Sequence, residues 1–203
     1  MKKLLTTILC AMLTFCAFAQ SESDSNESVN THLKFKGIPI DGTPYEFFRQ
    51  LSRNGFEYET ESEGILWYKG AFAGYNNCEV AVKYLNNLVY EVVACFPKDY
   101  TWDHLYGTYS SLKEMLTKKY GEPWWSKEEF ENTPSYRNIE DGNDKYKEVK
   151  DGHCCYYASF YSTANEGGCG YIHIEIKSSG RVGIHYKDLE NVSKKEEQAL
   201  NDL

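Results

Sequence analysis

The sequence predicts an α+β fold: helices packed on antiparallel β-sheet, arranged as a tandem repeat of one such unit. Three observations carry this expectation. Two hairpin signatures stand far apart in the chain, CEVAVKYL-NN-LVYEVVACF over 78–96 and YIHIEIK-SSG-RVGIHY over 171–186. In both, runs rich in β-branched and aromatic residues flank a turn of the kind that closes tight hairpins. An amphipathic helical stretch precedes each hairpin, beginning at Pro44 in the first half and at Thr101 in the second. The two halves also share one order of elements: helix, connection, strand, loop, hairpin. Phe72 aligns with Phe160, Val80 and Val82 with Ile172 and Ile174, and Val89 with Val182, while Glu91 falls where the second half has Ile184, so the halves are not equivalent.

The chain opens on a stretch that reads as an export leader. Lys2 and Lys3 supply the charged start, the mainly apolar stretch runs to Phe15, and Ala17-Phe18-Ala19 makes a small-residue cleavage site before Gln20. A lipoprotein leader ending at Cys16 is the rival reading, but it puts the bulky Phe15 where a small residue is needed. The expected protein is therefore periplasmic or secreted after cleavage. The full chain carries 22 basic and 30 acidic residues, and removing 1–19 takes away two lysines and no acid, moving the formal charge from −8 to −10. An acidic chain without a basic cluster argues against nucleic acid and against anionic membrane surfaces as partners. No later run approaches the ~20 apolar residues of a membrane span.

Residues 20–31 are polar and acidic, with almost nothing to bury, and predict a disordered tether. The first unit, 32–98, starts with a strand over 32–40 that Pro39 confines to an edge. Thr43, Pro44 and Glu46 form an N-cap, a first-turn proline and a capping-box glutamate, opening a helix that turns Phe47, Phe48 and Leu51 inward and stops at Gly55. After a Glu-rich connection a strand covers 65–73, and the first hairpin follows. The second unit, 99–189, opens on the clearest helix, where Trp102, Leu105, Tyr109, Leu112, Leu116 and Tyr120 form one stripe ended by Gly121 and Pro123. Residues 122–152 are polar and turn-rich, with Trp124-Trp125 in front and a short helical turn expected near 126–130. A strand over 153–163, a Gly-Gly loop and the second hairpin come next. Ser193 and Glu196 make a capping box for a C-terminal helix within 190–203.

Four segments, FKGIPIDGT, KGAFAGYNNC, LVYEVVACFP and the helix end KKYGEP, resemble a group of small exported proteins of Gram-negative gut anaerobes. The tandem helix-then-sheet order is similar to the β-lactamase-inhibitory-protein fold and, per unit, to small outer-membrane assembly lipoproteins. The first resemblance implies export and the second implies topology only. Neither brings an activity, a cofactor or a site residue, because fold does not carry function.

Five cysteines remain after cleavage. Counting outward from an Asn86-Asn87 turn sets Cys78 opposite Cys95, with Cα atoms ~4.5 Å apart in a non-hydrogen-bonded pair. Export then predicts a disulfide between them, worth about 3 kcal/mol through closure of the loop. The pairing of Cys154, Cys155 and Cys169 stays open. No CxxC spacing, Gly-x-Ser-x-Gly, His-Glu-x-x-His or phosphate-cradling loop occurs, and no cofactor is implied.

The second hairpin fixes its own register. Pairing through Ser178-Ser179-Gly180 sets Ile172, Ile174 and Ile176 against Tyr186, Ile184 and Val182 on one surface. The other surface carries His173 opposite His185, with Glu175 and Lys177 beside them. Two imidazoles and a carboxylate at this spacing can ligate a metal, although a solvated polar face gives the same pattern. Pairing Phe160 with Ile172 covers Cys154, Tyr156, Ala158 and Phe160. It brings Tyr157 and Tyr161 beside Tyr171, His173, His185, Glu175 and Arg181 on the open face, with Trp67 and Lys69 on the open face of the first unit. Tyr, Trp and Arg dominate binding hot spots because they combine large area with a polar handle. The expected function is an exported binding or inhibitor-like module with a protein or peptide partner. The alternative is a metal-dependent or thiol enzyme of the cell envelope.

Overall fold

A computed structural model describes residues 31–135, 137–163 and 168–201. The leader, all but the last residue of the tether, and most of the Gly-Gly loop lie outside the described residues. Fourteen elements follow in order: β1 Lys34–Phe35, β2 Ile38–Pro39, α1 Pro44–Arg53, β3 Glu57–Ser62, β4 Ile65–Phe72, β5 Tyr75–Leu85, β6 Leu88–Cys95, α2 Trp102–Tyr120, β7 Trp125–Phe130, α3 Gly142–Asp151, β8 Cys154–Ser162, β9 Gly170–Lys177, β10 Arg181–Asp188 and α4 Leu189–Asn201. The eight strands from β3 to β10 form one antiparallel sheet in the order β3-β4-β5-β6-β10-β9-β8-β7, and β1 pairs with β2 alone. Each half of the sheet is a four-strand meander, and the last strands of the halves, β6 and β10, join them. The α+β class is as the sequence predicts. Among the described residues no helix is long and apolar enough to cross a membrane.

Local chemistry sets the helices. Thr43 and Glu46 cap α1 reciprocally, and Thr101 accepts from the His104 amide at the start of α2. Every residue of the predicted α2 stripe, from Trp102 to Tyr120, is buried. The aromatic and aliphatic residues of α1 and α2 pack on Tyr68, Val80, Val82, Val92, Ala94, Phe160, Ile172, Ile174 and Ile184 in one continuous core. Register in the second hairpin runs as expected, with Val182 opposite Ile176, Ile184 opposite Ile174 and His185 opposite His173. Phe160 pairs with Ile172 as predicted.

Several expectations need correction. The segment 32–40 is not one strand: Lys36 and Gly37 take positive φ, folding it into the β1–β2 hairpin. The Glu-rich connection is strand β3, and 126–130 is strand β7, not a helical turn. Both are the outer strands of the sheet, where charged side chains on both faces block edge-to-edge pairing and erase the period-two signal. A third helix, α3, stands in the turn-rich segment, capped by Asp141 and ended by Gly152 in the left-handed region.

The Cys78–Cys95 bridge is also overturned. Asn86 and Asn87 do form the turn, both at positive φ. Leu85 faces Leu88 and Tyr84 faces Val89, but the next pair is Lys83 with Glu91, leaving Tyr90 as an extra residue on β6. A bulge of this kind moves every later residue by one place relative to its partner strand. Cys95 therefore faces Glu79 and Gly183, while Cys78 pairs with Gly70 on the opposite side of the sheet. Both are free thiols.

Helix α4 starts at Leu189 and is capped by Asp188 rather than by Ser193. The fully buried Asp188 carboxylate accepts from the Asn191 amide at 2.9 Å and from the Leu33 amide at 2.7 Å, and lies 3.0 Å from His32 Nδ1. One side chain thus starts the last helix and holds the chain leading into β1. Asp188→Ala should cost about 3 kcal/mol in chemical denaturation, because it removes a cap and leaves a buried amide without its acceptor. Asp188→Asn, which keeps one acceptor oxygen, should cost less.

Candidate functional site

The ring contacts that α1 and α2 make with the sheet are all on one face, through residues such as Tyr68 and Tyr156. Register assigns alternate residues to the other face. There β4 presents Trp67 and Lys69, opposite Ala81 and Glu79 of β5. Strand β6 adds Glu91, Val93 and Cys95, and β10 adds Arg181, His185 and Lys187. Strand β9 presents Tyr171, His173, Glu175 and Lys177, and β8 presents Tyr157, Ser159 and Tyr161. All eight residues expected to bind a partner (Tyr157, Tyr161, Tyr171, His173, Glu175, Arg181, His185 and Trp67) share this face. Among the described residues, no helix side chain bonds to or stacks on one of them.

A polar chain crosses the middle of the face through five neighbouring strands. Ser159 Oγ lies 2.9 Å from the Tyr171 hydroxyl and 3.0 Å from His173 Nδ1. His173 Nε2 is 3.9 Å from Glu175, whose other oxygen is 3.1 Å from His185 Nε2. His185 Nδ1 is 2.9 Å from Glu91, and Lys83 donates to Glu91 at 3.1 Å. Lys177 closes the group, 3.4 Å from Glu175. Arg181 pairs with Glu79 at 2.8 Å.

The charges follow from these contacts. Burial by itself would raise the Glu91 carboxyl, but His185 and Lys83 outweigh it and hold its pKa down to about 2. Glu175 is likewise held at about 2, against the same burial, by His185 and Lys177. Burial works to lower His185, yet its bonds to Glu175 and Glu91 win and raise it above the ordinary histidine value. For His173 burial prevails and its pKa falls, in spite of Glu175. The two imidazoles, paired across β9 and β10, are thus pushed in opposite directions.

This arrangement bears on the metal alternative. Both His185 ring nitrogens face carboxylates, and the Lys177 ammonium lies 3.3 Å from Nε2, so a positive charge already stands where a metal would bind. A different trio, Glu148, Asp151 and His153, has ligand atoms close together. Arg137 already supplies the cation there, 2.6 Å from Glu148 and 2.5 Å from Asp151. The thiols of Cys78, Cys95, Cys154 and Cys155 are pushed toward the protonated form. Burial raises Cys78, Cys95 and Cys155 and pushes Cys154 up to about 12, so none of these four is a ready thiolate nucleophile.

Beside the polar chain lies an aromatic patch whose outer members the sequence reading missed. Trp124 stacks on Tyr161 at 5.2 Å and 22°, and approaches Tyr171 at 6.3 Å. Tyr171 lies nearly parallel to His173, at 6.1 Å and 11°. Trp125 donates from Nε1 to the Tyr157 hydroxyl at 2.9 Å, and Tyr157 packs against His173 at 5.6 Å. Trp124, Trp125 and Tyr161 are each half exposed. The Trp-Trp pair was visible as composition, but its place on this face depends on β7 being a strand.

No family model, curated protein or solved structure matches this chain. What the face can do rests on its own chemistry: large rings held by neighbours, hydroxyls at their rims, and charges already neutralised in pairs.

Proposed function

We propose that the protein is an exported interaction module that binds a protein partner through the open face of its sheet. One observation carries the reading: Trp124, Tyr161, Tyr171, His173, Tyr157 and Trp125 form a continuous aromatic surface, partly exposed, on the face that α1 and α2 leave alone. Rings braced in this way bury much area on binding while losing little side-chain freedom. The paired charges beside them fit a polar rim more than a catalytic centre, since Glu91, Glu175, His173 and His185 are each engaged by a neighbouring side chain. The leader-like start supports export.

The same reading takes the halves of the sheet as two copies of one unit. Support comes from the sheet order, in which α1 is followed by β3 to β6 and α2 by β7 to β10, with α3 inserted between β7 and β8.

The test is the double variant Tyr157→Ala/Tyr171→Ala, used as bait in pull-downs from native envelope extracts. Capture of a partner taken by the wild-type protein should fall at least tenfold. Its Tm should move by only a few degrees: Ser159 keeps its bond to His173, and the exposed Trp125 N–H can turn to water. An unfolded double variant, or capture equal to wild type, would sink the proposal.

A further inference from the structure

A second surface feature lies on the helix side of the sheet, away from the face just described. The first turns of α1 and strands β3, β4 and β5 enclose a pocket of about 420 Å³ that opens to solvent. Five of its walls are aromatic rings: Tyr45, Phe48, Tyr58, Tyr68 and Tyr84. Its one charged lining residue is Glu61. The rings stand at different angles. Phe48 and Tyr68 lie 6.0 Å apart at 28°, while Tyr58 meets Tyr68 at 69° and Phe48 at 81°. The Tyr84 hydroxyl donates to Glu61 and fixes that carboxylate at the rim. Arg49, whose guanidinium lies 6.0 Å from the Tyr45 ring, does not line the pocket.

One feature of this pocket is unexplained by packing. Tyr45 and Tyr58 are 67% and 49% exposed, so burial does not account for their place. Tyr68 is fully buried and backs the pocket from behind the other rings. The chemistry of the walls decides which ligand would fit. Ring faces carry partial negative charge and attract cations, and rings set at steep angles present several faces to one centre. The lone carboxylate adds attraction of the same sign, and the acidic chain raises the local concentration of cations. A compact cation with strongly hydrated N–H groups gains little here, because three or four donors cannot be satisfied by ring faces. A methylated ammonium, whose charge is spread over methyl groups, suits both the apolar walls and the quadrupoles.

We propose that this pocket is a recognition site for a quaternary ammonium group, held against the rings of Tyr45, Phe48, Tyr58 and Tyr84 with Glu61 as counter-ion. The group occurs on free small molecules and on trimethylated lysine side chains, and the shared chemistry is the trimethylammonium head. The proposal is independent of the open sheet face, which lies on the other side of the sheet.

Calorimetric titration of the whole protein with choline tests it, beside the neutral isostere 3,3-dimethylbutanol, a peptide carrying trimethyl-lysine and the same peptide with plain lysine. Choline or the trimethyl-lysine peptide should bind saturably, and whichever binds tighter identifies the source. The neutral isostere and the plain-lysine peptide should bind at least tenfold more weakly. Glu61→Gln, which keeps shape and removes charge, should weaken binding several-fold, and Tyr58→Leu tenfold. Circular dichroism of both variants should match wild type, since both positions are exposed. Equal binding of the isostere, choline binding indifferent to both substitutions, or no binding of either trimethylammonium probe at millimolar concentration would overturn the proposal.

Discussion

Phe35→Ala should lower the free energy of unfolding by about 3–5 kcal/mol, the range for truncating a buried phenylalanine. In a chain of this size that corresponds to a Tm drop of roughly 10 °C. The expectation rests on where the ring sits. Phe35 is fully buried, 4.8 Å from Phe72 and 6.1 Å from Phe56, and 5.5 Å from Tyr186 at a steep angle. Phe72 belongs to the β3–β6 half of the sheet and Tyr186 to the β7–β10 half. A two-stranded hairpin is marginal in isolation, so β1–β2 is held by what it inserts. Removing the ring leaves a void bordered by both halves, and backbone collapse around it is limited because β4 and β10 are tied into the large sheet. Phe35→Leu should cost far less, since most of the volume stays. Urea denaturation followed by both fluorescence and far-ultraviolet circular dichroism measures this. A loss below 1 kcal/mol for Phe35→Ala would mean that the hairpin is not docked as described.

Elements with a buried face were legible in the sequence, and elements at the rim were not. The α2 stripe and the second hairpin could be read to the residue, because the alternation of Ile172, Ile174 and Ile176 with His173 and Glu175 allows one register only. Strands β3 and β7 could not be read, since Glu57, Glu59, Glu61, Glu128 and Glu129 lie on edge strands with solvent close to both faces. The Tyr90 bulge left a sign that the simple turn count passed over. Val89, Val92 and Ala94 are all buried, and residues three apart share a strand face only when one extra residue stands between them. Taking the apolar pattern before the turn count would have placed Cys95 away from Cys78. The candidate face was legible in its middle, where alternation is strict. Its Trp124 and Trp125 edge was hidden with β7. The aromatic pocket was not legible at all: Tyr45, Tyr58 and Tyr84 come from a helix and two strands, and β3 had to be placed before they could meet.

His185→Ala should destabilise the protein by about 2–3 kcal/mol near pH 6 and by less at both pH 3 and pH 9. The imidazole stands between Glu91 and Glu175, and its removal leaves two carboxylates facing each other with Lys83, Lys177 and Lys187 to balance them. Breaking a buried ion pair costs about 3–5 kcal/mol; solvent reaches Glu175 and screens its share, which sets the lower figure. The pH dependence has a definite sign on each side. Glu91 and Glu175 are held at about 2, below the ~4.3 of an unfolded glutamate. Their contribution is therefore present above ~4.3 and is lost as pH falls toward 2. His185 is held above the unfolded value of ~6.5, so its contribution is complete below that value and is lost as pH rises through the folded one. Between ~4.3 and ~6.5 all three groups contribute, and there the wild-type protein should show a stability maximum that the variant lacks. His173 sharpens the comparison, because its pKa is lowered instead. Its contribution is present above ~6.5 and declines as pH falls, so it cannot produce a maximum on the acid side. Denaturation midpoints of wild type and His185→Ala from pH 3 to 9 decide the matter: parallel profiles would show that His185 is not the charge that joins β6, β9 and β10 across the open face.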